Sequence, residues 1–134
     1  MFYAGAMPNL APKAFAVLRI IVGLLFATHG SQKLFGWPGS PSGEPLPPLI
    51  VAAGVIELGC GLLLTFGLFG KAAAFLASGT MAVAYFMGHA SGGWNPVVNR
   101  GETAVVYCFY FLYVSAYGSG IWSLDAWRSR RNHR

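Results

Sequence analysis

A chain of 134 residues that is 55% hydrophobic and only 10% charged, with 18 glycines, departs from a soluble globular domain, where charged residues reach about 25%. It reads instead as a compact polytopic membrane protein. The net charge of +5 comes from cations that are dispersed or sit at segment ends, not from a basic stripe with interleaved aromatics, which speaks against a nucleic-acid partner.

The amino-terminal residues lack the basic n-region and clean small-residue cleavage site of a secretory signal, and the first apolar segment is long, so it is expected to be retained. That segment, residues 14–35, opens after Pro12 and Lys13 and closes at Gly36-Trp37-Pro38-Gly39. About 20 residues cross a bilayer core, so its length suffices. The second, residues 49–69, is entered through Pro47-Pro48, which suit a helix's first turn because their missing N–H groups would be unpaired there. Gly67-Leu68-Phe69-Gly70 makes a tight return. The third, residues 71–89, is rich in alanine and glycine and runs into the polar stretch from Ala90 to Pro96; the fourth covers residues 102–121. Residues 123–134 are too short and too charged to cross, and Leu124 and Trp127 among basic side chains suit an amphipathic tail at the interface.

The expected architecture is all-α: one domain over residues 1–134, a four-transmembrane-helix bundle with a short amphipathic cytoplasmic tail. An even number of spans puts both termini on one side. Lys13, Lys71, Arg128, Arg130, Arg131 and Arg134 fall on that side, against Lys33 and Arg100 on the other, so the positive-inside bias makes the termini cytoplasmic. The loops over residues 40–48 and 92–101 would face outward. Cys60 and Cys108 lie about 10 Å apart in depth by helical rise, too far to bridge, and are expected to act as small hydrophobes.

Four ionisable residues, Arg19, His29, Glu57 and His89, sit inside these apolar stretches, where a central Arg, Lys or Asp costs about 2.5–3.5 kcal/mol. Such groups face a bundle interior, pair with one another and mark a pathway or a site. On the first span Arg19, Gly23, Phe26, Gly30 and Lys33 stack on one face, with His29 at its border one turn before Lys33. Around Glu57 the same-face neighbours Ala53, Gly54, Cys60 and Gly61 are all small, so it should pack against other helices. Lys71, Ser78, Ala82, Tyr85 and His89 share a face of the third span, and Tyr107, Tyr110, Tyr113 and Tyr117 a broad arc of the fourth, used for packing and interface anchoring.

Depth restricts the pairings. At the helical rise Glu57 lies about 15 Å below the outer surface, His29 about 10 Å below it, and Arg19 about 8 Å from the inner one. His89 and Glu102 come near the outer surface, His89 as a cap or interface residue. Glu57 can pair downward with Arg19, which would keep it ionised and structural, or upward with His29, directly or through water, which suits proton exchange. The histidines lack metal-ligand spacing, so neither metal nor haem is expected.

The run Leu18-Arg19-Ile20 through Phe26, then His29-Gly30 and Lys33-Leu34-Phe35-Gly36, resembles the first helix of the DoxX family of small bacterial membrane proteins. Ile56-Glu57-Leu58 with Gly61 is similar to its second helix and Met81 through His89 to its third. Gly101-Glu102, Gly118-Ser119-Gly120 and Ser123-Leu124-Asp125 are similar to the fourth helix and its exit, extending the resemblance to residues 14–127. Relatives are similar to the membrane subunit of an archaeal thiosulfate:quinone oxidoreductase, and some bacterial members are linked to sulfur-based redox and oxidative-stress complexes. The resemblance carries over Arg19, His29, Lys33, Glu57, His89, Glu102 and Asp125 as polar family positions, with Asp125 able to compete for Arg19.

It implies a redox-linked subunit of the bacterial cytoplasmic membrane that binds a quinone or similar lipid-soluble ligand. Ligand or proton-exchange candidates are His29, Lys33, Glu57, His89 and Glu102. Electrons would come from a redox partner protein, and the chain could assemble with further copies of itself. The alternative is a non-catalytic membrane adaptor held by a polar clamp of Arg19, Glu57 and Asp125.

Overall fold

The computed structural model describes residues 9–39 and 45–133. Among them lie four long helices, α1 (Leu10–Phe35), α2 (Pro48–Phe66), α3 (Gly70–Gly88) and α4 (Glu102–Tyr117), and a short α5 (Leu124–Asn132), with a single 3₁₀ turn at Ala90–Gly92 and no strand. Residues 40–44, half of the first expected outward loop, and Arg134, one of the cations in the charge count, lie outside the described residues.

Local chemistry explains the boundaries. α1 begins four residues before its expected start, because Pro12 falls in the first turn, where its missing N–H would have no intrahelical partner. It ends at Gly36, left-handed at φ 68°, whose N–H returns to Gln32 O. α2 starts at Pro48 as the sequence suggests but stops at Phe66, three residues short of the expected end. Gly67 at φ 65° directs its N–H to Leu64 O and that of Leu68 to Leu63 O, closing a Schellman turn. α4 stops at Tyr117 rather than Ile121, since Gly118, Gly120 and Trp122 all take positive φ. Ser123 then caps α5 by accepting from Ala126 N at 3.1 Å.

α1 packs along α2 and α3 along α4, while α2 and α3 touch over a shorter stretch. The α1–α2 contact is made by bared backbone. A Cβ on Gly23 would lie 2.7 Å from Thr65 N; one on Gly30 would fall on Leu58 N, and one on Gly61 on Ala27 N. Phe26, Leu64, Ala77, Met81, Phe111 and Val114 fill the space between the pairs. Phe15 against Tyr117 and Phe26 against Phe111 bring α1 to α4, with ring centroids 4.6 and 4.7 Å apart.

The distribution of polarity is reversed from that of a soluble protein: Arg19 is 0% and Glu57 2% exposed, while Leu25 is 52% and Phe75 70% exposed. α1 and α2 are each long and apolar enough to cross a membrane. The outward apolar surface then has hydrocarbon for solvent, and the inward polar groups must satisfy one another.

One end of the molecule is tied by two charged side chains. Arg19 donates from Nε to Leu64 O (3.1 Å), from Nη1 to Ser119 O and Ile121 O, and from Nη2 to Trp122 O (2.8 Å). Leu64 lies in the last turn of α2, where carbonyls lack helical partners and the dipole is negative, so peptide dipoles rather than a carboxylate solvate the guanidinium. Asp125 holds the opposite side of this corner. Its Oδ1 accepts from Phe69 N and its Oδ2 from Gly70 N, both at 2.9 Å, and Oδ2 also from Ser119 Oγ at 2.7 Å. It therefore caps α3 from a distant part of the chain. Burial pushes the Asp125 carboxyl up, but the hydrogen bonds from Gly70, Ser119 and Phe69, with Arg128 nearby, outweigh it and hold the group below the ordinary carboxylate value.

Two measurements test this account. Gly61→Val should cost about 1–3 kcal/mol by forcing α1 away. Gly59→Ala, whose Cβ meets nothing within 4 Å, should be neutral or stabilise by about 0.5–1 kcal/mol, both read by thermal unfolding in mild detergent. A depressed carboxyl contributes stability above its unfolded value of about 4 and loses it as pH falls through the folded value. Asp125→Asn should cost about 1 kcal/mol near neutrality through the weakened cap, and its unfolding temperature should lack the part of the acid fall below about pH 4 that the wild type owes to this group.

Candidate functional site

The second charged pair lies toward the opposite end. Lys33 follows Gly30 by one turn on α1, and Gly54 precedes Glu57 by one turn on α2. The Gly30 contact, in which an added Cβ would lie 2.6 Å from Gly54 O, therefore brings the two side chains face to face. Lys33 Nζ donates to Glu57 Oε2 at 2.7 Å and Oε1 at 2.9 Å. Glu57 is 2% exposed and the Lys33 side chain 32%, so the carboxylate is desolvated and its cation still reaches open space. A buried carboxylate survives ionised where such a cation compensates it.

This pairing corrects both expectations for Glu57. Arg19 is level with the last turn of α2, seven residues below Glu57, or about 10 Å along the axis, and meets the Leu64 carbonyl there, which also accepts from Gly67 N. Counted from the ends of the two helices at Phe35 and Pro48, Arg19 lies 16 residues in and Glu57 nine, and that offset of seven residues is what separates them. Nor does Asp125 take Arg19; both bind the corner through different groups. Arg19, Glu57 and Asp125 thus do not form one clamp: Arg19 and Asp125 belong to the corner, Glu57 to the Lys33 pair.

Beside the Lys33–Glu57 pair a groove of about 880 Å³ opens between α2 and α3 and reaches inward to α1 and α4. Its walls are mainly apolar, with Phe26, Ile56, Phe75, Met81 and Ala84 among them, and its polar points are His29, Lys33, Glu57, Thr80, Thr103 and Tyr107, with His89 and Arg100 toward the loop end. His29 is exposed and stands edge-on to the Tyr107 ring, centroids 6.1 Å apart. Pockets of about 300–1,000 Å³ with few polar groups on apolar walls suit small organic ligands.

His89 is the C-terminal cap residue of α3, and its Nδ1 lies 3.2 Å from Asn99 O. Asn99 donates to the Tyr85 hydroxyl and to Gly93 O and accepts from Gly101 N, so it stitches the loop over the groove's end. Glu102 is exposed on the first turn of α4 and is not part of the groove lining. Four of the five ligand or proton-exchange candidates, His29, Lys33, Glu57 and His89, therefore share one groove, and Glu102 stands apart.

The sequence offers no site signal for Asn99 or Arg100, whose loop carries no periodicity, beyond the charge of Arg100, nor for Thr103 in the first turn of α4. It did place Tyr107 on the tyrosine arc, and that arc divides by environment: Tyr107 faces the groove, Tyr113 and Tyr117 stack on each other, and the Tyr110 hydroxyl is buried with no partner among the described residues. The missed Lys33–Glu57 register was signalled by the glycines, because matching Gly30 to Gly54 sets the two helices in phase.

The DoxX family model matches residues 14–90, which takes in α3 and ends before α4. An uncharacterized protein of Haemophilus influenzae (strain ATCC 51907 / DSM 11121 / KW20 / Rd) is 41% identical over 120 residues, covering 85% of this chain and 90% of its own length. No solved structure matches. With a family match over more than half its length and apolar spanning helices, the chain is a membrane protein that belongs to the DoxX family.

Proposed function

We propose that the protein crosses the bacterial cytoplasmic membrane four times and binds a quinone or similar lipid-soluble ligand in the groove between α2 and α3, as the ligand-binding subunit of a redox complex. The observation that carries this reading is the groove itself: apolar walls along most of its length, with His29, Tyr107 and the Lys33–Glu57 pair gathered at one part of it.

The volume of about 880 Å³ accommodates a quinone ring with the first units of its tail. A bound quinone would supply two-electron chemistry that takes up two protons. Lys33, whose Nζ is held by Glu57, and His29, exposed at the wall, are the donors available to carbonyl oxygens. Glu57 keeps the Lys33 ammonium oriented, and His29 is suited to pass a proton at a ring nitrogen. Electrons come from a partner protein in this reading.

Charge supports the orientation. Lys13, Lys71, Arg128, Arg130 and Arg131 share the α5 end, while Lys33 and Arg100 lie toward the other, so the positive-inside bias favours a cytoplasmic α5 end with both termini there. The adaptor alternative keeps only the Arg19–Asp125 corner as its clamp, because Glu57 is engaged elsewhere.

Binding of decylubiquinone to protein in lipid nanodiscs tests the proposal. It should raise the unfolding temperature, and His29→Ala should weaken binding about tenfold, the loss of roughly one hydrogen bond. Unaltered unfolding with ligand in excess, or identical affinity in His29→Ala and Glu57→Gln, would remove the quinone reading and leave the adaptor. The ion pair has its own signature. Lys33→Met alone should destabilise by about 3–5 kcal/mol by stranding a buried carboxylate, whereas Lys33→Met with Glu57→Leu should recover most of that, measured by thermal unfolding.

A further inference from the structure

A second trough, of about 640 Å³, lies at the α5 end, on the far side of the Arg19 corner from the quinone groove. Ile20 from the middle of α1 and Phe66 from the end of α2 form one wall, and Trp122, Leu124 and Trp127 the other, with Arg130 on the lining. Phe66 is 61%, Trp122 56% and Trp127 53% exposed, so its aromatic surfaces are uncovered by the chain itself.

We propose that this trough seats one anionic phospholipid of the adjoining leaflet, an acyl chain lying against Ile20, Phe66 and the two indoles and the phosphate meeting Arg130. The inference rests on this end lying at the membrane surface and is independent of what occupies the quinone groove.

Charge selects the occupant. Lys13, Lys71, Arg128, Arg130 and Arg131 crowd this end, and the carboxylate present there among the described residues is that of Asp125. Both of its oxygens are already used by Phe69, Gly70 and Ser119. The cationic excess is therefore not cancelled internally. Arg128 lies over the Phe69 ring, 5.1 Å from its centroid, and Arg131 over that of Trp127 at 4.8 Å, so these two have partners on the protein. Arg130 is the arginine that lines the trough. A planar fork beside apolar walls, with flanking indoles at interfacial depth, fits a phosphodiester head on a hydrocarbon tail. A free phosphate would leave the apolar walls unused, and a zwitterionic phospholipid, though it offers Arg130 the same phosphodiester, would bring its own cation into an already cationic end.

Trp37→Phe with Trp94→Phe leaves Trp122 and Trp127 as the reporters, since the chain has four tryptophans. In phosphatidylcholine vesicles containing a minor fraction of brominated lipid, fluorescence quenching gives the relative affinity of each headgroup at the trough. Brominated phosphatidylglycerol should be preferred over brominated phosphatidylcholine by roughly fivefold, the effect of one well-placed arginine. Arg130→Gln should bring the ratio near one, while Arg128→Gln, which removes the same charge outside the trough, should leave most of it. Equal quenching by the two lipids in the parent protein would overturn the proposal. So would an equal fall in both arginine variants, which means smeared surface attraction rather than a seat. Circular dichroism of each variant establishes that the helices persist.

Discussion

Hydrocarbon gives two helices no solvent-driven reason to associate, because lipid tails are as apolar as leucine. What holds α1 to α2 is van der Waals contact between backbones bared at Gly23, Gly30 and Gly61, close enough that a methyl group at any of them meets main-chain atoms. Side chains that interlock over a smooth surface can slide, whereas backbones in contact fix both the distance and the register. That register puts Lys33 opposite Glu57 and Arg19 opposite the final turn of α2. Both internal charges thus depend on glycines that carry no charge.

The two charged sites solve desolvation differently. Arg19 is surrounded by main-chain carbonyls from α2 and from the link between α4 and α5, so its compensation is part of the folded backbone itself and is lost only if the corner opens. Asp125 completes the arrangement by satisfying the first amides of α3, and its low carboxyl follows from the donors that converge on it. The Lys33–Glu57 pair depends on two side chains, one of them partly exposed beside a groove. A side-chain pair can rearrange without unfolding a helix. The first site is fixed by the backbone, and the second is free to respond to what lies in the groove beside it.

Much of this was legible in the sequence. Proline at the head of α2, the Gly67–Gly70 return and the small residues flanking Glu57 each state a local requirement that the fold obeys. The partner of Glu57 was not legible from depth, because the contact of Gly30 with the Gly54 carbonyl, which sets Lys33 against Glu57, is a tertiary feature that the length of an apolar run does not report. Arg19 posed a different difficulty. Its acceptors are carbonyls, which every residue possesses, presented by a non-repeating link at Ser119–Trp122 that no periodicity announces.

The splay between α2 and α3 also bears on how any ligand arrives. The two helices are joined by a tight return at one end, and exposed Phe75, Val83 and Met87 border the gap that opens between them. On the proposed four-span reading those side chains stand in hydrocarbon, the doorway would be lateral, and a guest would come out of the bilayer's own reservoir rather than through an aqueous mouth. Occupancy is then governed by mole fraction in the lipid phase, so a weak intrinsic contact suffices for a molecule that partitions strongly. Selectivity among equally greasy guests is left to the few polar atoms at His29, Tyr107 and Lys33.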